Sequence, residues 1–557
     1  MGLLRTVCIS ALLLFAAAAV QCGEGGSCPS GRAVPVESPA LLQQGRRVSP
    51  SPGAQEDLTM GPGDSGAELH GQHHSAGVGE PKEKLAMLRE KLNSMRDQDG
   101  PWAGVGEDAS NHSMIHCGEL RIHADENVAR GIWPVQAERV TTSAARTNAC
   151  SNGAVSGYPC QNVDLLSFVP LSDFASQAAN DVWGWSDPDT GKEYALFCLK
   201  EGTAFVDVSA PGQPVIVGTL ASATTASIWR DVKVYGNHAF IVSEASGHGM
   251  QVFDLTRLRG QGPNTVFTAD ARYTGFGNAH NVVVNADTGR AFGVGTNTCS
   301  GGLHIVDIRN PTSPTSEGCF SADGYTHDAQ CLIYAGPDAT HQGKEICFAY
   351  NEDTVTIVDV SRGLQAPVQL SKVGYSGARY THQGWLDEAQ EYAYVNDELD
   401  EKNTQDKITK TLIFDVRDLD NPTYLQTHRH TTTSIDHNLY THQGHVYEGN
   451  YCAGMRILKI QADHSLSEVA YFDSEPDCST ATFQGVWSVY PYFPSGTILV
   501  SSFERGLFML AATGLDTPTA PPDVIVGPPG PDGPAGPPGN AGLPGPPGPP
   551  GPAGAPR

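Results

Sequence analysis

Short apolar runs, most of them closed by an aspartate, recur through the middle of the chain. They read AFVDV (204–208), QVFDL (251–255), HIVDI (304–308), TIVDV (356–360), LIFDV (412–416), RILKI (456–460) and LFMLA (507–511). Aligned on one position they stand at 207, 254, 307, 359, 415, 459 and 511, in steps of 44 to 56 residues. That is the length of a propeller blade. Each unit also keeps one internal order: a first run such as HNVVVN (280–285), a second such as RAFGVGT (290–296), the third with its aspartate, and a fourth such as SEGCFSA (316–322). The seventh unit stops after three runs, while a spare one, VDLLSFV (163–169), precedes the first. The pattern predicts an all-β chain over 149–515, a seven-bladed β-propeller closed by its N-terminal strand, which removes the exposed edges of an open array. The aspartate that ends five of the third runs is expected to accept from a turn amide. Units six and seven depart from this, with Lys459 and Ala511.

Outside that stretch the pattern changes. Residues 1–22 hold Arg5 and the apolar run ALLLFAAAAV, the length of a secretory signal core. Residues 23–148 are rich in Gly, Ser, Pro and His without sustained periodicity, which predicts disorder over most of their length. Within them Leu85, Leu88, Leu92 and Met95 step by three and four, predicting a short helix near 82–98. Asn111 opens an Asn-His-Ser glycosylation sequon. After a linker, 516–526, strict glycine in every third position begins at Gly527 and runs through the collagen-like segment 527–557. Only glycine fits the axis of a triple helix, so this segment is expected to gather three chains or to serve as a proline-rich tail.

Charge and cysteine content narrow the partners. Thirty-five Lys and Arg against 61 Asp and Glu leave a net charge of −26, which repels nucleic acid and anionic lipid. No apolar stretch beyond the signal is long enough for a membrane span. The expected setting is extracellular, where cysteines form disulfides. Cys331 and Cys347 are placed opposite each other on adjacent strands. Cys299 with Cys319, Cys452 with Cys478, and Cys150 with Cys160 follow from local spacing.

Several longer stretches carry a resemblance. PCQNVDLLSFVPLSDF, NDVWGWSDPDTGKEYAL, EICFAYNEDTVTIVDV, YTHQGW with NDELDE, and DHNLYTHQGHVYEGNYCAGMRIL resemble the choice-of-anchor B family of LVIVD-repeat propellers. The resemblance implies a secreted or surface-held propeller joined to one of many C-terminal anchors, here the collagen-like segment. It implies no established enzyme activity.

The candidate chemistry lies in repeated histidines. In the repeat frame His280, His327, His382 and His442 open the innermost strands of four consecutive blades, and the loops between second and third strands supply Glu244, Glu352 and Asp397. His437 lies on the approach to the sixth blade and either joins the ring or caps its loop. Three readings stay open. The histidines staple neighbouring blades; with the carboxylates they bind a divalent metal or another ligand; or they do acid–base work. The expected function is a secreted recognition or matrix propeller with an extracellular protein or glycan ligand, assembled as a homotrimer through the tail. The alternative is a metal-dependent hydrolase with Glu352, Asp397 or Glu244 as base. No nucleophile elbow, phosphate loop or HExxH motif offers chemistry independent of the propeller.

Overall fold

The computed structural model describes residues 149–361 and 366–515. The signal segment, the 82–98 helix, the Asn111 sequon, the linker and the collagen-like segment lie outside the described residues.

Apolar runs with buried residues on both faces need neighbours on both sides, and each third run is an inner strand of a small antiparallel sheet. The third strands are Gly202–Asp207, Met250–Asp254, His304–Asp307, Val355–Asp359, Lys410–Asp415, Met455–Ile460 and Gly506–Ala512, one in each of seven sheets. The seventh sheet pairs Val486–Tyr490, Thr497–Ser502 and Gly506–Ala512, and its fourth strand is the N-terminal Val163–Pro170. The ring is therefore a closed seven-bladed propeller, as the surplus N-terminal run predicts.

The aspartates that end five third strands all perform one task. Asp207, Asp254, Asp307, Asp359 and Asp415 each accept, through Oδ1, the backbone N–H two residues on, at 2.9 to 3.1 Å. Each closes a turn at the end of its strand, which in blade 2 opens the short helix Leu255–Leu258. In six blades the register between third and fourth strands then slips by one residue. Such a bulge increases the local twist as the sheet reaches the rim.

Two edges carry additional strands. Thr265–Phe267 pairs parallel to the outer strand of blade 1, Val215–Ala221, before the chain makes the short outer strand of blade 2, Ala271–Tyr273. The hairpin Ala154–Val155 with Tyr158–Gln161 extends the outer strand of blade 6, Leu466–Phe472. The N-terminal part of the propeller thus contributes to blade 6 and then to blade 7.

Aromatic rings fill the space between blades, as where Phe205 and Phe253 stack at 4.5 Å. On the innermost strands two glycines allow close approach. A Cβ on Gly184 of blade 1 would lie 2.1 Å from the Tyr490 ring of blade 7, and one on Gly384 of blade 5 would lie 2.7 Å from the Tyr350 ring of blade 4. Four disulfides join Cys150–Cys160, Cys299–Cys319, Cys331–Cys347 and Cys452–Cys478. Cys331 and Cys347 are direct partners in the antiparallel register. Cys198 is buried and free. Among the described residues no helix is long and apolar enough to cross a membrane.

Candidate functional site

The innermost strands of blades 3 to 7 are Asn281–Asn285, Asp328–Ile333, Thr381–Leu386, Asn438–His442 and Val486–Tyr490. Their beginnings lie at one end of the channel, and four imidazoles form an arc there. Ring centroids are separated by 4.2 Å from His280 to His327, 4.0 Å from His327 to His382 and 4.4 Å from His382 to His437, with Trp487 a further 4.8 Å on.

The fourth member is His437 and not His442, which corrects the sequence expectation. His442 ends its strand and pairs with His445 across the hairpin turn. It packs against Tyr492 at 5.2 Å, away from the arc, and burial lowers its pKa. The physical reason is that YTHQG folds in two ways. In blade 5 Thr381–Leu386 is strand from its threonine onward, whereas in blade 6 Gln443 and Gly444 take positive φ values of 51° and 70° and turn the chain. The informative signal was the dipeptide His-Asn. Asn281 and Asn438 follow His280 and His437, and each donates its side-chain amide to a backbone carbonyl on the next blade, His327 O at 3.2 Å and Trp487 O at 3.0 Å.

Three histidines are held by the same bond. The Nδ1 atoms of His327, His382 and His437 meet the carbonyls of His382 (2.9 Å), His437 (3.2 Å) and Trp487 (2.6 Å). A ring nitrogen facing a carbonyl must carry the proton, so in the neutral imidazole Nε2 holds the lone pair. Stapling and ligation are thus not exclusive: Nδ1 staples each blade to the next and Nε2 is presented elsewhere. His280 differs, because its Nδ1 meets Glu244 Oε1 at 2.6 Å.

For two of the rings Nε2 turns toward Glu398. His437 Nε2 lies 3.5 Å from Oε1 and His382 Nε2 lies 3.9 Å from Oε2. Candidate ligand atoms of His382, Glu398 and His437 all lie within 4.8 Å of one another, and all three residues are buried. The Tyr451 hydroxyl donates to Glu398 Oε1 at 2.8 Å and fixes the carboxylate. Two nitrogens and a carboxylate, each oriented by an outer hydrogen bond, are a donor set that could hold a transition metal.

The carboxylates expected at the mouth divide. Asp397 is engaged within its own blade. Its two oxygens accept from the Tyr375 hydroxyl and from the backbone N–H groups of Arg379, Tyr380 and Leu399. The next residue, Glu398, faces the histidines instead, a residue that the acidic NDELDE stretch contained but did not single out. Glu244 and Glu352 belong to the mouth through their charges. Burial first, then Tyr325, Glu352, Glu398 and Glu244 push the Tyr380 phenol well up, and burial with Glu244 and Glu352 does the same to Tyr325. Glu352, at φ 66°, also exchanges backbone hydrogen bonds with Thr381 of the next blade.

The innermost strands of blades 1 and 2, Ala179–Ser186 and Arg230–Tyr235, bring together a second charged group. Lys233 Nζ sits 2.5 Å from Asp231 and 3.1 Å from Asp181, over the Trp183 ring at 4.6 Å. Burial acts upward on Asp231, yet the Lys233 ammonium and its hydrogen bonds hold that carboxyl below its ordinary value. Burial pushes Asp328 up to about 7 against the pull of Lys233. A cavity of about 130 Å³ opens here between Trp183, Lys233, Asp328, Gln330, Trp385 and Tyr440.

The LVIVD repeat family matches residues 299–321, the third and fourth strands of blade 3. No curated protein matches the chain. Similar solved structures include the RRP9 WD40 repeats, at 9% identity and a TM-score of 0.40, covering 66% of this chain and 99% of that one. The structure of U3-55K follows at 8% identity and 0.39, covering 62% and 98%. A computationally designed protein, Ika8, stands at 9% and 0.37, covering 60% and 83%.

Proposed function

For a seven-bladed propeller that carries an LVIVD repeat, we propose an extracellular recognition module of the choice-of-anchor B type, with its ligand site at the histidine mouth. The convergence of His382 and His437 on Glu398 carries this reading. A divalent transition metal held by these three residues keeps an open coordination position, which a carboxylate or hydroxyl of a protein or glycan ligand fills. The four disulfides support an oxidising, extracellular setting. The collagen-like segment takes the place of the anchor and gathers chains into trimers, so that weak contacts at each mouth add as avidity.

Light scattering on the secreted full chain and on a chain ending at Asp516 tests the assembly. The expected masses are trimer and monomer; monomer in both removes the multivalent part of the proposal. Metal binding is tested by elemental analysis of protein purified without chelator. Stoichiometric zinc or a similar metal, lost in His382→Ala plus His437→Ala, is the expected result, and metal content unchanged by that pair contradicts the site.

The second reading, hydrolysis at the same metal, is favoured by the carboxylates that surround it. It requires a base beside the open position. With Asp397 committed to four donors, the candidates are Glu352 and Glu244. Ester or phosphoester turnover that falls in Glu352→Gln while metal content stays constant would establish it.

A further inference from the structure

The loop after the second strand of blade 5 forms one helical turn, Asp400–Asn403, that carries Asp400 and Glu401. Asp436 leads into the inner strand of blade 6. Carboxylate oxygens of the three lie within 4.8 Å of one another. All three residues are buried, Glu401 with no exposed surface (0%). The cation that faces them is Lys410, whose Nζ is 2.8 Å from Asp400 Oδ2 and 3.6 Å from Glu401 Oε1, and which is also drawn to Asp406 at 4.0 Å. One ammonium faces three carboxyl groups, and burial with their mutual repulsion pushes Glu401 and Asp436 well up, so without a further cation the group has to hold protons.

Hydrogen bonds reach few of the cluster's oxygens. Asp436 Oδ2 accepts the Asp397 backbone N–H at 3.1 Å. Asp436 Oδ1, Asp400 Oδ1 and both oxygens of Glu401 are buried without a hydrogen-bond partner. Buried carboxylate oxygens facing one another are unfavourable unless protons or a cation lie between them.

We propose that Asp400, Glu401 and Asp436 form a calcium site. The cluster has neither imidazole nor thiolate, and an all-oxygen set suits a hard cation. Calcium accepts six to eight oxygens in irregular arrangement, whereas magnesium demands an octahedron and retains several waters. Donors brought together from two separate segments, in a buried place, fit calcium. The site is separate from the histidine mouth yet adjoins it in sequence on both sides, since Glu398 lies two residues before Asp400 and His437 follows Asp436. A calcium ion here fixes the blade 5 loop to the start of the inner strand of blade 6, the two segments that carry Glu398 and His437.

The test uses the full secreted chain, stripped with EGTA and melted with or without calcium chloride or magnesium chloride. At saturation calcium is expected to raise the melting midpoint by about 4 to 8 °C, with magnesium weaker. About one calcium per chain should survive gel filtration. Glu401→Gln and Asp436→Asn should each lose the bound calcium and, in EGTA, melt above the native chain because one member of a mutually repelling buried set is gone. No retained calcium and no shift in the native chain overturns the proposal, as does an equal shift in both variants. If neither variant folds, the calcium content of the native chain still decides, since none retained overturns the site. Calcium retained in His382→Ala supports the carboxylate cluster as its ligand; calcium lost with His382 assigns the ion to the mouth and overturns it.

Discussion

At the scale of single residues, placement depends on strand register and not on the resemblance of short peptides. YTHQG occurs twice, but one copy begins a strand and the other ends one in a turn, so His382 and His442 occupy opposite ends of their strands. The spacing was legible in another form. From His327 to His382 and from His382 to His437 the chain advances 55 residues each time. Binding therefore separates the two candidates: His437→Ala is expected to lower affinity for Zn²⁺ at the mouth at least tenfold, and His442→Ala to leave it within twofold, measured by calorimetry. The inverse ranking would return His442 to the site. Asp397 and Glu398 differ in the same way, because adjacent side chains leave a strand end in different directions and composition does not tell which one meets the mouth. Asp328 gives a pH signature. Its folded pKa of about 7 lies above its ordinary value of 3.8. The folded state thus holds a proton that the unfolded chain has released, and the stability present below pH 4 is lost as pH rises through about 7. Asp328→Asn should gain several degrees of melting midpoint relative to the native chain between pH 5 and pH 8; a constant gap would contradict the shift.

At the scale of elements, the aspartates were the most legible feature. A polar residue at the end of an apolar run has a local partner two residues away, so sequence alone predicts its bond. Asp307→Ala should cost about 1 kcal/mol in denaturant unfolding, the worth of one partly exposed turn bond. The bulge that follows in six blades was not legible, because its extra residue, aliphatic in five of the six, looks like any other position of an apolar run. The same holds for the outer strand Thr265–Phe267, which leaves the repeat order to cover blade 1. Closure is the more consequential element. Val163–Pro170 hydrogen-bonds Gly506–Ala512 along its whole length. A chain lacking residues 149–170 should lose its cooperative melt and aggregate through the open edge of blade 7, as followed by calorimetry and light scattering. A native-like cooperative melt would show that the ring does not depend on that strand.

For the whole molecule, repeat length and strand order made the fold readable, since seven units of similar length with one displaced strand admit few other arrangements. Function was less readable, because the mouth is assembled from residues about 50 apart whose convergence depends on how the blades wind around the channel. The histidines join the blades, and the proposed site uses the same rings. Nδ1 binds blade to blade, while Nε2 of His382 and His437 is aimed at Glu398. The acidic net charge of −26 adds long-range attraction for cations, which weakens with salt. The most direct measurement is a Co²⁺ titration of chelator-stripped full-length protein, followed by visible absorption. Mixed nitrogen and oxygen ligation at the mouth predicts one equivalent of Co²⁺ with ligand-field bands that disappear in His382→Ala plus His437→Ala. Bands that are absent from the native protein, or unchanged in the double variant, would contradict the account and leave the histidines as staples between blades.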